Sequence, residues 1–329
     1  MQELRWNPIL QEWVIVASHR KERPVEPSTD RQTSCPFCKG DPHVEGSWEV
    51  KAVPNLFPSL SITAPPKRET HSNLFRFESS KGFCEVILET KDHETDLGYL
   101  SVERIIKVID LLADRFDALS AREEIRYVYE FRNRGKEIGV TLSHPHSQLY
   151  ALPFIPPIVK RELASSKDYF VKFRRCLFCD VMEEEKRDRR VILQNKSFVC
   201  FLPFYSRWPY ETHVYALRHC QSLLDLSSAE RRDLAWMLKL ISLAYDLLFE
   251  FPMPYVMAMH QRPTDGKKYD YFHFHVEFYP PYREKDLLKF LGGLEQGAGT
   301  FIYDGDPEAK AAELRRAAEK AMQRFPTGD

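Results

Sequence analysis

The sequence predicts an α+β fold assembled from two halves with one plan, residues 1–155 and 156–329, each a mostly antiparallel sheet against a long helix. Three observations predict it: chemical landmarks recur in the same order in both halves, two long stretches carry helical periodicity, and strand-like segments follow one another through turn residues.

The first half opens with the strand-like WVIVASH and continues through the pair Cys35/Cys38 and the strand-like VILETKDH ending at His93. A long helix, the strand-like YVYEFRN and IGVTLS, and the H-x-H of SHPHSQ follow. The second half repeats the order: Cys176/Cys179, HVYALRH ending at His219, a long helix, YVMAMHQR, and FHFHVEFYP. Cys35 and Cys176 stand 141 residues apart, and His144 and His273 stand 129 apart, so an internal duplication explains both offsets.

In the first helix Ile105, Ile106, Ile109, Leu112 and Phe116 fall on one face at steps of three and four. The second opens with Ser227 and Glu230 in capping-box spacing and places Leu234, Leu238, Ile241, Tyr245 and Leu248 on its apolar stripe. Arg134-Gly135 and Asp265-Gly266 are turn signals between strands, which favours antiparallel pairing. The Pro- and charge-rich segment 153–172 reads as the connection between halves, and the tail after Asp304 as an amphipathic helix.

A length of 329 residues fits two domains, and 43% hydrophobic with 29% charged residues is the composition of a soluble globular chain. With a formal charge of −1 no global field holds nucleic acid or an anionic membrane, so an anionic ligand must be met locally. The start, MQELRWNPIL, lacks the pattern of a secretory leader and no apolar run is long enough to span a bilayer, so a cytoplasmic, non-membrane protein is expected. No G-x-G-x-x-G and no G-K-[ST] loop is present, which argues against Rossmann and P-loop nucleotide binding.

Four of the seven cysteines form C-x-x-C pairs, while Cys84, Cys200 and Cys220 read as buried small hydrophobes. Cys35 and Cys38 supply two thiolates from one turn, half of a tetrahedral zinc site, with His93 and His144 as the remaining ligands. A redox pair is the rival reading, but it wants a helix opening at the motif, and the residues after Cys38 read as a knuckle and turn. In an extended segment His144, His146 and Gln148 share one face, so one histidine can bind metal while its neighbour meets a ligand. The bland alternative is a pair of hydrogen-bonded histidines at the edge of the core; the following Gln and the second H-x-H favour function.

N-P, S-H-R-x-x-R-P, C-x-x-C, P-N-L-F-P, F-x-N-x-G-x-x-x-G and T-L-S-H-P-H-S-Q together resemble the galactose-1-phosphate uridylyltransferase family, a nucleotidyl-transferring branch of the histidine-triad superfamily. The resemblance covers nearly the whole chain and implies a tandem duplication of two histidine-triad-like domains. It implies that His146 attacks the α-phosphorus of a nucleoside diphosphate sugar, giving a nucleotidyl-histidine and a sugar 1-phosphate, with Gln148 hydrogen-bonding a phosphoryl oxygen. Arg20 and Arg23 match positions approaching the sugar-phosphate end, in their own or a partner subunit. Asn55 and Phe57 match the nucleoside pocket, with a plain turn as the other reading of that loop, while Asn133, Gly139 and Thr141 match positions near the phosphates. Lys289 and Glu295 match phosphate and sugar contacts, but Phe301 stands near where a Gln is expected. A homodimer that completes the sites, UDP-glucose as donor and galactose 1-phosphate as acceptor are implied; a nucleoside diphosphate sugar phosphorylase or hydrolase and a non-catalytic nucleotide-binding module are the rival readings.

Duplication equates a second zinc site, Cys176, Cys179, His219 and His273, with the first. Some family members instead hold a second metal with one Glu and three His; Glu162, His260 and His275 match part of that set, and Glu277 stands at its last His. His275 is followed by Val276 and Glu277 where the first half has Ser147 and Gln148, so the second copy reads as non-catalytic.

Overall fold

The computed structural model describes residues 2–22, 35–38 and 44–325. In chain order the first half contains strands β1 (Gln2–Asn7), β2 (Glu12–Ala17), β3 (Lys51–Pro54), β4 (Phe77–Glu78) and β5 (Phe83–Leu88), helix α1 (Val102–Ser120), then β6 (Tyr127–Arg134) and β7 (His146–Leu152). Helices α2 (Pro157–Phe173) and α3 (Leu177–Lys186) lead into β8 (Val191–Gln194), β9 (Phe198–Phe201), β10 (Thr212–Ala216), α4 (Ser228–Phe249), β11 (Tyr255–His260) and β12 (His275–Tyr279). A short hairpin of β13 (Tyr282–Glu284) and β14 (Leu287–Leu288), then α5 (Gly293–Ala298) and α6 (Pro307–Arg324), complete the described chain.

The two half-sheets join edge to edge in one nine-stranded sheet, ordered β3-β5-β7-β6-β11-β12-β10-β9-β8, in which every pair is antiparallel. Across the seam β6 pairs with β11, Tyr255 opposite Arg134 and Met259 opposite Glu130, so the order is that of two similar halves meeting on their matching strands. Gly135 ends β6 at φ +91°, a conformation open to glycine, and a Cβ there would lie 2.6 Å from Pro254 Cβ at the seam. β2, β1 and β4 form a separate small sheet.

One face of the large sheet is buried under α1 and α4, with α6 packed on α4. Ile105, Ile109, Leu112 and Phe116 of α1 are buried as their spacing predicts, and α4 starts at the Ser227–Glu230 capping box. Its Leu234, Leu238, Ile241 and Tyr245 are fully buried. The halves differ on the opposite face. In the second half α2 and α3 cover it, Val159, Leu163, Phe178 and Met182 packing on Val199, Phe201 and Tyr215; in the first half it stays open as a cavity.

Segment 153–172, the connection between halves, is mostly α2: Pro157 sits at its first position, where a missing N–H costs nothing, and Val159, Leu163 and Ser166 make a buried stripe. One sequence expectation changes. IGVTLS is not a strand but a 3-10 turn and loop, because Gly139 takes φ +81° and closes the turn Lys136–Ile138. The strand begins instead at His146, as β12 begins at His275. Cys84, Cys200 and Cys220 are buried as expected.

Candidate active site and metal centres

On β7 alternate residues His146, Gln148 and Tyr150 face the open side of the sheet. They line a cavity of about 180 Å³ with Arg20, Asn55, Phe57, Asn133, Gly139 and Thr141. Thus the first-half residues that the resemblance matched to catalysis and substrate line one cavity, apart from Arg23, which lies outside the described residues. Phe131, the first residue of the F-x-N-x-G motif, supplies an apolar wall, as do Phe37 and Val53, to which the motifs gave no role. Tyr150 was findable, since it lies two residues beyond Gln148 on the same strand face. A second cavity, of about 510 Å³, meets the first at His146, Asn133 and Thr141 and is bordered by Lys136 and Ser143.

The loop of Asn55 and Phe57 is a turn: Asn55 Oδ1 accepts from the Phe57 N–H at 2.9 Å, which holds the loop beside the cavity. Arg20 donates to the Phe57 carbonyl at 2.9 Å and to the Tyr150 hydroxyl at 3.2 Å, contacts that place it at the wall of this cavity.

His146 Nδ1 lies 2.7 Å from the His144 carbonyl oxygen. A carbonyl only accepts, so Nδ1 carries the proton and Nε2 the lone pair. His144 is set the other way round: its Nε2 donates to the Thr90 carbonyl at 2.9 Å, which leaves the lone pair on Nδ1. That Nδ1 lies 3.4 Å from Cys38 Sγ, and His93 Nδ1 lies 3.2 Å from the same sulfur. Burial pushes His144 below the usual imidazole range, keeping the neutral form a metal needs, and pushes the Cys35 thiol up to about 12.

The donor atoms of Cys35, Cys38, His93 and His144 all lie within 4.8 Å of one another. A tetrahedral zinc with ordinary bond lengths separates its ligands by about 3.3–3.8 Å, so this set fits the ion. Cys176, Cys179, His219 and His273 form the matching group. There Cys179 Sγ lies 3.6 Å from His219 Nδ1 and 3.4 Å from His273 Nδ1, and His273 Nε2 donates to the Ala216 carbonyl at 2.9 Å. The hydrogen bond from Cys179 draws Cys176 well below the usual thiol range, with His219 and His273 adding to it. Cys176 caps a helix, α3, the helix-opening geometry that the redox reading wanted at the first pair, but here two imidazoles complete the donor set.

Beyond it, Glu162, His260, His275 and Glu277 also gather their ligand atoms within 4.8 Å. His275 Nδ1 donates to the His273 carbonyl at 2.8 Å, the bond that His146 makes in the first half. Its Nε2 is buried, 3.4 Å from Glu277 but misaligned for a hydrogen bond. Burial opposes the charge of His260, and the carboxylates of Glu162 and Glu277 overcome it, lifting the group to about 9. Glu211 and His213, 3.0 Å apart, extend this cluster.

Lys289 and Glu295 come together, their charged groups 3.3 Å apart, but neither lines the His146 cavity. Lys289 Nζ also donates to the Ile302 carbonyl, and Phe301 lies beside it.

The chain matches the family described as galactose-1-phosphate uridyl transferase, its N-terminal domain over residues 1–156 and its C-terminal domain over 162–324. A galactose-1-phosphate uridylyltransferase of Thermotoga maritima is 39% identical over 96% of this chain and 98% of its own. The solved structure of a uridylyltransferase superposes with a TM-score of 0.88 at 36% identity, covering 97% of this chain and 99% of the other. An ADP-glucose phosphorylase from Arabidopsis thaliana, solved with bound ADP-glucose, gives a TM-score of 0.74 at 26% identity, covering 96% and 98%.

Proposed function

The chain belongs to the galactose-1-phosphate uridylyltransferase family, and from that premise we propose that His146 is the residue that carries the nucleotidyl group between two sugar 1-phosphates. The reaction moves UMP from UDP-glucose to galactose 1-phosphate. One observation carries the assignment: the hydrogen bond from His146 Nδ1 to the His144 carbonyl leaves the Nε2 lone pair on the cavity side. Nε2 bonds to the α-phosphorus as the bond to the glucose 1-phosphate oxygen breaks, and that oxygen leaves with the electron pair as a stabilised anion. In the second half-reaction an oxygen of galactose 1-phosphate attacks the same phosphorus, and the electron pair returns to Nε2. Gln148, on the same face, is assigned the hydrogen bond to a phosphoryl oxygen as charge develops. Asn55 and Phe57 are assigned to the nucleoside, Asn133, Gly139 and Thr141 to the phosphates, and Arg20 to the phosphate end.

Zinc at Cys35, Cys38, His93 and His144 has four protein ligands and no open position, so its role is to hold the loop before β7. We assign a second zinc to Cys176, Cys179, His219 and His273. Lys289 and Glu295 are assigned to the sugar end of a neighbouring subunit's site in a homodimer, which accounts for their distance from the His146 cavity. Among the described residues no helix is long and apolar enough to cross a membrane. A cytoplasmic setting belongs to the same proposal, since cysteine thiolates that bind zinc persist in a reducing compartment.

The test is UDP-glucose labelled at the α-phosphate, incubated without acceptor and followed by peptide mapping. Label on the His146 peptide, discharged by galactose 1-phosphate, is expected; an unlabelled peptide despite acceptor-dependent turnover refutes the adduct. Parallel arms with ADP-glucose as donor and inorganic phosphate as acceptor separate the transferase from a phosphorylase.

A further inference from the structure

Behind the strand that carries His146 and Gln148 lies a polar network that the reaction itself does not use. Ser147, between the two, faces the helix side of the sheet and donates to Glu89 Oε1 at 2.7 Å. Glu89 is fully buried and accepts from Arg132 at 2.9 Å. Arg132 also meets Asp96, at 2.5 Å; Asp96 meets Arg134; and Arg134 makes a two-pronged contact with Asp246 of α4, at 2.6 and 2.9 Å. The chain of contacts runs from the H-P-H-S-Q strand to the long helix of the other half.

Residues 89 and 90 grip the motif at three points. The Glu89 N–H donates to the Pro145 carbonyl at 3.3 Å, the Thr90 carbonyl orients His144, and the Glu89 carboxylate takes the Ser147 hydroxyl. Burying carboxylates and guanidinium groups is costly, and an apolar core of equal volume is often as stable, so such a network is better explained by the geometry it fixes than by stability. The molecule contains its own comparison. In the second half, where Gln148 has no counterpart, Val276 stands at the Ser147 position and packs in the apolar core.

We propose that Glu89, acting through Ser147, is a positioning residue for nucleotidyl transfer, holding β7 so that His146 and Gln148 meet the α-phosphate in line. The proposal rests on the assignment of His146 as the carrier of the nucleotidyl group. Ser147→Ala removes the link while leaving Glu89 bonded to Arg132, so the fold is expected to survive it. In single-turnover labelling from UDP-glucose, Ser147→Ala is expected to form the His146 adduct about 10-fold or more slowly, the size of effect that small misplacements produce. In steady state kcat is expected to fall while the KM for UDP-glucose is unchanged, and Ser147→Thr, which restores the hydroxyl, to recover most of the rate. Glu89→Gln, which keeps an acceptor for Ser147, is expected to retain more activity than Glu89→Ala. Adduct formation at the parent rate in Ser147→Ala overturns the proposal, as does a loss that tracks a lowered melting temperature and is not recovered by Ser147→Thr. If the parent itself takes no label while turnover persists, the adduct assignment fails, and the kcat of Ser147→Ala still decides the positioning role.

Discussion

Two histidines separated by a single proline, His144 and His146, present different ring nitrogens because different main-chain carbonyls choose their tautomers. The Thr90 carbonyl accepts a hydrogen bond from His144 Nε2–H and leaves the Nδ1 lone pair toward the thiols, whereas the His144 carbonyl accepts from His146 Nδ1–H and leaves the lone pair on Nε2, the atom proposed as nucleophile. Replacing His146 with Gly should therefore abolish transfer while zinc content stays at the parent level, because the metal set does not include it. Elemental analysis beside an activity assay checks both halves of that statement. Gln148→Ala should slow adduct formation by about 10²–10³-fold if its amide acts like one oxyanion-hole donor, read by rapid-quench labelling. Cys35→Ser should lose the first zinc and leave the second; a variant that binds as much zinc as the parent would remove the assignment.

At the scale of elements, β6 shows how one strand serves two environments. Its odd residues, Tyr129, Phe131 and Asn133, face the cavity side, while Glu130, Arg132 and Arg134 turn inward beneath the helices. Glu130 has one carboxylate oxygen on Gln261 Nε2 at 2.9 Å and the other buried without a partner, and burial lifts it well above the carboxylate range. Since the folded value exceeds the unfolded one, about 4.3, its contribution to stability is fully present below that pH and is lost as pH rises. Glu130→Gln cannot ionise, so its stability relative to the parent should improve between pH 4 and pH 8; urea unfolding that gives the same difference at both would rule this out. The elements bearing period and punctuation were legible in the sequence: α1 from its apolar stripe, α4 from its capping box, the C-x-x-C and H-x-H groups from spacing. The strand expected at IGVTLS was not, because Gly139 at positive φ overrides the apolar alternation around it. Nor was α2, whose Pro-rich opening reads as linker until Pro157 is seen at the helix start, nor the Glu89–Arg132 network, whose members are ordinary charged residues until the sheet brings them together.

For the whole molecule, duplication followed by divergence explains why one half keeps an open cavity. Both halves preserve the strand that starts at the second histidine and its bond to the carbonyl of the first, but in the second half α2 and α3 lie across that face and Glu162 of α2 reaches His260. In the proposed homodimer that covered copy serves catalysis by presenting its far end, with Lys289 and Glu295, to another subunit. The arrangement makes a prediction that no single-chain site can satisfy. His146→Gly and Lys289→Ala, each strongly impaired alone, should regain activity when co-expressed, because a mixed dimer pairs an intact His146 from one subunit with an intact Lys289 from the other. With random assortment half the dimers are mixed and each has one intact site, so recovery should approach about a quarter of the parent rate per chain. Light scattering on the same sample should give twice the chain mass. If the mixture stays as inactive as its components while the dimer forms, the site is complete within one chain, and Lys289 and Glu295 act only in holding the loop between β14 and α5.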